Sequence, residues 1–324
     1  MSGERVMSSP HRFRMLTVQG IYLRMSVLLC FLIALAGLRS GVSVLLPAIA
    51  AAGGALAADL LVGLLPSDAE VAGRWWPGSG LRNGRALYLG LLVAALAPQG
   101  SDPMVLAGAA AAAVVLGVWV IGGTGTLWMH PSLLALALIP QRGTGLAEGA
   151  SVQGSAAVGD LLQRSGISAA LESSVFVPLD LSVTPDALTS VVSVMPESAV
   201  SLSAGLLLAL LPVAMVVFGE DIVPPLLPIS YLLAFVLVVD LLGGSVLAAM
   251  AGGNAPVIAL LALPNPGARP RRLGGLLAYG VIAGLLGAVL TVSGSVALPA
   301  VSGVLLAATL VPLADWLGER RVAA

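Results

Sequence analysis

The chain contains no lysine. All 15 of its basic residues are arginine, against 16 acids, for a formal net charge of −1. Without lysine there is no Schiff-base chemistry and no phosphate-loop lysine. A near-neutral charge gives no basic field for nucleic acid. There is one cysteine, Cys30, and it lies inside an apolar run. It forms no internal disulfide, and one thiol cannot hold an iron–sulfur cluster or a cysteine-ligated metal. The two histidines, His11 and His130, are far apart and show no metal-ligand spacing. Charged residues make up only 10% of the chain, where soluble domains carry about 25%.

What fills the chain is apolar: 58% hydrophobic residues, with a mean hydropathy of +1.02. Apolar runs recur along the whole length and are too long for the alternating strands of a β-barrel. The composition therefore predicts an all-α integral membrane protein. Reading run by run gives about ten transmembrane helices, at 25–38, 42–65, 86–97, 104–121, 131–139, 199–218, 226–242, 245–263, 273–292 and 296–316. The corresponding organisation is a cytoplasmic N-terminal segment 1–24, a first membrane half 25–140, an extracytoplasmic region 141–198, a second membrane half 199–316 and a cytoplasmic tail 317–324. The basic leader reads as the entry to a retained first span, not as a cleaved signal.

Arginine placement tests this arrangement. With the N-terminus inside, 12 of the 15 arginines fall in cytoplasmic segments; Arg39, Arg142 and Arg164 are the exceptions. That is the positive-inside bias, and an even number of spans returns the C-terminus to the same side. The region 141–198 carries six acids and two arginines, as a non-cytoplasmic segment does. Five spans precede it and five follow with opposite orientation, which is the arrangement of an inverted repeat.

One stretch interrupts the apolar pattern more sharply than the rest: IGGTGTLWMHPSLLALALIP, Ile121 to Pro140. Glycine permits close backbone approach and proline removes a donor. A Gly-rich break between two apolar runs leaves backbone groups without helix partners, which lipid tolerates only where the break is packed in protein or meets water. It reads either as an interfacial loop or as a broken-helix site. In the second reading Gly122, Gly123, Thr124, Thr126 and His130 offer close approach and hydrogen-bond donors. The carboxylates inside or at the edge of spans, Asp59, Asp240 and Asp315, are candidates for an ion path. Asp240, within FVLVVDLLGG, is the one expected to be buried.

The break resembles the GGxGxNxxNPA segment of the RnfD/NqrB family, with Gly122, Gly123 and Gly125 in the glycine positions and His130-Pro131-Ser132 where the family has Asn-Pro-Ala. Other pieces follow in family order. LYLGLLVAALAP resembles the stretch before the break, MPESAVSLSAGLLLALLP the entry to the sixth span, and PNPGARPRR the turn after the eighth. LVPLADWLGERR resembles the family's C-terminal ending, with Asp315 in the aspartate position.

The resemblance implies a membrane subunit of an Rnf-type or sodium-translocating NADH:quinone reductase complex in the bacterial inner membrane. Its partners would be the other subunits and a sodium ion or proton. No nucleotide-binding fingerprint or cluster-ligating cysteine set occurs, so the hydride chemistry would belong to those subunits. In the family, flavin mononucleotide is attached through its phosphate to a threonine after the fifth span. Here the equivalent place reads Gly154-Ser155-Ala156, and the threonine position is Ala156. Alanine cannot form the phosphoester, and Ser155 sits one place early. The sequence thus argues against covalent attachment. It leaves open a noncovalent flavin (FMN or riboflavin), a channel or permease of related fold, and a cofactor-free scaffold.

Overall fold

The computed structural model describes residues 17–40, 45–63, 84–97, 101–120, 129–138, 207–220, 222–244, 246, 249–250, 254–265, 269–270, 273–293 and 298–311. Among these residues the regular structure is helical throughout. The helices are α1 (Val18–Ser40), α2 (Leu45–Gly63), α3 (Arg85–Leu96), α4 (Pro103–Val114, continuing as a π-helical turn Val115–Val120) and α5 (Pro131–Leu138). The second half holds α6 (Leu207–Gly219), α7 (Leu226–Leu241), α8 (Ala255–Val257, continuing as a π-helical turn Ile258–Ala262), α9 (Leu273–Ser293) and α10 (Pro299–Ala308).

The expected spans and the helices agree in order, but not in length. Among the described residues, only Val18–Gly37, Leu45–Val62 and Leu273–Ser293 are long and apolar enough to cross a membrane unaided. The twelve residues of α3 rise only about 18 Å, against roughly 30 Å of hydrocarbon. The punctuation explains the difference. Gly84, with φ 64°, and Ala97, with extended backbone, bound α3. Pro103 sits in the first turn of α4, with Asp102 accepting from the Met104 amide at 2.8 Å. Asn254 and Pro256 fix the start of α8 within the expected 245–263 span, of which residues 246, 249 and 250 are also helical. The first helix differs the other way: it begins at Val18, a turn and more before the predicted Met25.

Two helices bury small and aromatic side chains and turn a stripe of large aliphatic ones outward. On α9, Tyr279, Gly280, Ala283, Gly284, Gly287 and Ala288 face in, while Leu273, Leu277, Val281, Leu285 and Val289 are exposed at four-residue spacing. On α7, Ile229, Leu233, Leu237 and Leu241 form the same kind of outer stripe. This is the pattern of helices packed by small residues and solvated by lipid. Cys30 is exposed on α1 beside Val27 and Phe31. A charged maleimide is therefore expected to leave Cys30 unmodified from either side of intact membranes and to label it after denaturation. Labelling of the intact protein would place this face in water.

Four pairings recur with an offset of five helices, while the contacts of α1 with α2 and of α3 with α4 and α5 have no equally extensive counterpart among the described residues. In the first half α1 packs on α3, α2 on α3 and on α4, and α4 on α5; in the second, α6 packs on α8, α7 on α8 and on α9, and α9 on α10. The halves meet where α1 touches α6 and α5 touches α10. Close approach marks the matching crossings. A Cβ on Gly54 of α2 would run into the backbone of Ala107 in α4, and one on Gly284 of α9 into the carbonyl oxygen of Tyr231 in α7.

Candidate functional site

At the middle of the assembly lie the two short helices that cannot span alone. In α3 every residue from Tyr88 to Leu96 is buried, and in α8 every residue from Ala255 to Ala262. They run antiparallel and are tied at both ends. Near the start of α3, the Tyr88 hydroxyl donates to the carbonyl of Leu261 at 2.5 Å. At its far end, the Asn254 amide nitrogen donates to the carbonyl of Leu96 at 2.9 Å. Both acceptors are carbonyls left over by helix ends or wide turns, groups that must find a partner when buried. The wide turn in α8 is explicit: the amide of Leu263 reaches back five residues to Ile258 at 2.8 Å.

The tyrosine end is the richer. His130 precedes Pro131, the first residue of α5, and is 2% exposed. Its Nε2 lies 3.1 Å from the Tyr88 hydroxyl. Ser132 anchors α5 to α3 by donating to the Leu89 carbonyl at 3.0 Å. A Cβ on Gly117, in the π-turn of α4, would collide with the ring of Pro131. On the other side, the Tyr22 ring of α1 tilts against Tyr88 with centroids 5.3 Å apart. The Tyr22 hydroxyl donates to Asn265 Oδ1 at 3.1 Å, just past α8. Four elements (α1, α3, α5 and the end of α8) thus converge on a buried set of Tyr22, Tyr88, His130 and Asn265. Arg85, one turn before Tyr88, feels the charge of Asp59 on α2 and leaves one guanidinium nitrogen buried without a hydrogen bond. Beyond α8, burial pushes the Arg269 guanidinium below its ordinary value.

Of the residues read from sequence as a site, the structure places His130 here and Asp59 at the edge. His130 Nε2 is engaged by Tyr88, and its Nδ1 is buried with no partner among the described residues. One expectation is corrected. Asp240 was expected to be buried, yet it lies on the exposed side of the last turn of α7. The helix turns its Tyr231, Phe235 and Val239 inward, and Asp240, next in sequence, is carried around to the outside. Gly122, Gly123, Thr124, Thr126, Ser155, Ala156 and Asp315 lie outside the described residues. Among the described residues no group of three or more His, Cys, Asp and Glu side chains could hold a metal ion.

Tyr22, Tyr88, Asn254 and Asn265 were not singled out from sequence. A signal existed. The chain has four tyrosines, Tyr22, Tyr88, Tyr231 and Tyr279, and all four are buried. Tyrosine in a membrane protein usually marks the headgroup belt; here it marks the interior.

Helices with lipid-grade outer stripes around short, buried, interrupted helices define a multi-pass membrane protein. The chain belongs to the NQR2, RnfD, RnfE family, whose model matches residues 5–323. No curated protein matches it.

Proposed function

We propose that this protein is the membrane-core subunit, RnfD-like, of an ion-translocating electron-transport complex, built as two inverted halves of five helices with both termini in the cytoplasm. The observation that carries the reading is the family match over residues 5–323. The fold supports the inverted halves through the five-helix offset of its pairings and through contacts of α1 with α6 and α5 with α10, helices that the repeat would relate to each other. The grouping of segments on one side of the membrane also gains support. Arg24 of α1 pairs with Glu220 after α6. Tyr22 bonds Asn265 after α8, and Ser26 bonds the Gly84 carbonyl before α3. In the proposed topology each of these pairs joins segments on the cytoplasmic side.

A flavin held here would supply one- and two-electron transfer to neighbouring carriers. The described residues suit a noncovalent polar ligand in one respect: His130 Nδ1 is buried without a hydrogen-bond partner, which a bound ligand would complete. Covalent attachment is not expected, because Ala156 stands in the threonine position. The channel or permease reading draws on that same alanine and on the interrupted helices α3 and α8.

The test is flavin content. Purify the protein from native membranes with its partner subunits, denature it on a gel and record flavin fluorescence. Flavin released on denaturation and assigned to this subunit is the expected result. Fluorescence that stays with the denatured band would overturn the reading of Ala156. A complex without flavin in this subunit, or a protein that travels without redox subunits, would favour the scaffold or the channel.

A further inference from the structure

We infer that the two halves are rigid bodies that rock against each other, pivoting at the end of the seam that holds Tyr22 and Tyr88 and parting at the end that holds Asn254. The halves and the name of the cytoplasmic end rest on the topology proposed above; the electron-transport role is not used. Two kinds of contact hold the chain together, and they are segregated. Every described glycine whose added Cβ would collide meets its own half. Gly54 of α2 meets α4, Gly90 of α3 meets α2, and Gly117 meets Pro131 of α5. Gly280 and Gly284 of α9 meet α7, and Gly303 of α10 meets α9. Among the described residues no such approach crosses from one half to the other. What crosses is polar. Arg24 pairs with Glu220, Tyr22 donates to Asn265, Tyr88 to the Leu261 carbonyl and Asn254 to the Leu96 carbonyl. α5 also touches α10, without a colliding glycine in that contact.

The two kinds differ in what undoes them. Helices in backbone contact separate only by losing the packing of the whole crossing, and in lipid that packing carries association. A side-chain hydrogen bond between helices contributes little net and breaks singly. Each half therefore moves as a unit, and motion along the seam costs least. The ties are uneven. Arg24, Tyr22 and Tyr88 cluster near the cytoplasmic ends of α1 and α3. At the opposite end the described bond across the seam is Asn254 to Leu96, which joins two helix ends. A carbonyl at a helix end that loses its asparagine can be taken by water. Parting there lets water reach the buried ends of α3 and α8.

Distances between spin labels test this in the full chain, with Cys30→Ala to remove the native thiol, in liposomes and diluted with unlabelled protein. Six exposed positions carry the labels as cysteine substitutions. Met104 with Leu241 spans the seam at the Asn254 end, and Val18 with Leu273 spans it at the cytoplasmic end. Ile49 with Met104 and Leu241 with Val289 stay within one half each. Expected are narrow distributions within each half, and a broader or two-peaked one for Met104–Leu241 than for Val18–Leu273. Asn254→Ala is expected to raise the long-distance population of Met104–Leu241 roughly threefold over the short one, with the pairs inside each half unchanged. A Met104–Leu241 distribution as narrow as the pairs inside each half overturns the rocking, with no variant that could misfold. Broad distances inside a half overturn the rigid bodies. A Val18–Leu273 distribution broader than Met104–Leu241 overturns the pivot. Flavin content enters none of these outcomes, so this assignment and the electron-transport reading fail separately.

Discussion

Replacing Gly284 with alanine is expected to destabilise the protein by about 3 kcal/mol, the upper end for overpacking a tight interior. The added methyl would run into the carbonyl oxygen of Tyr231, and it would also meet Ala234 Cβ and the Phe235 amide nitrogen, each 3.1 Å away. Backbone cannot swing aside as a side-chain tip does, so α7 and α9 would have to separate. Lipid makes that separation telling. The tails solvate apolar side chains as well as a neighbouring helix does, so close packing carries the association. Gly54→Ala is expected to act the same way at the α2–α4 crossing, against the backbone of Ala107. The controls are built in: a Cβ on Gly53 or Gly274 meets nothing within 4 Å. Gly53→Ala and Gly274→Ala should therefore lose nothing. Thermal unfolding followed by size-exclusion chromatography in mild detergent would rank the four variants. Equal midpoints for Gly53→Ala and Gly54→Ala would refute the close crossing.

Those glycines show what a sequence of this kind discloses. Runs and breaks are legible because lipid demands apolar length and because glycine and proline punctuate it, so the helix order could be read off. Which glycine lies in a crossing could not, since Gly53 and Gly54 are adjacent and chemically identical. Helix length was misread at α1, which begins at Val18 and not at Met25, because hydropathy does not register where a helix starts ahead of its apolar run. The break at Asn254 and Pro256 within 245–263 is legible from the residues themselves. The site was hidden for a related reason. In RALYLGLLVAAL nearly every position is apolar, so no periodicity marks Tyr88, and its partners come from distant segments: His130, Leu261 and the tilted ring of Tyr22. His130 was visible as a polar residue beside a proline. Its setting was not, because its partner is a hydroxyl from another helix, itself bonded to a carbonyl from a third.

That arrangement makes Tyr88→Phe the most costly single-atom deletion in the site. Removing the hydroxyl strands two buried groups, the Leu261 carbonyl and the His130 Nε2. Each orphaned neutral group costs about 1–3 kcal/mol, so a loss of about 3 kcal/mol is expected. Tyr22→Phe strands one acceptor, on an asparagine that has a further interaction, and should cost about 1 kcal/mol. The sharper test is a cycle with His130→Leu. Once the imidazole is gone, Tyr88→Phe leaves only the carbonyl of Leu261 orphaned, so the second substitution should cost less than it does alone. The two losses should couple by about 1 kcal/mol, as contacting residues in one network do. Unfolding midpoints of the four proteins, calibrated by denaturant titration in the same detergent, measure that coupling directly. Strict additivity would mean that Tyr88 and His130 do not share a hydrogen bond.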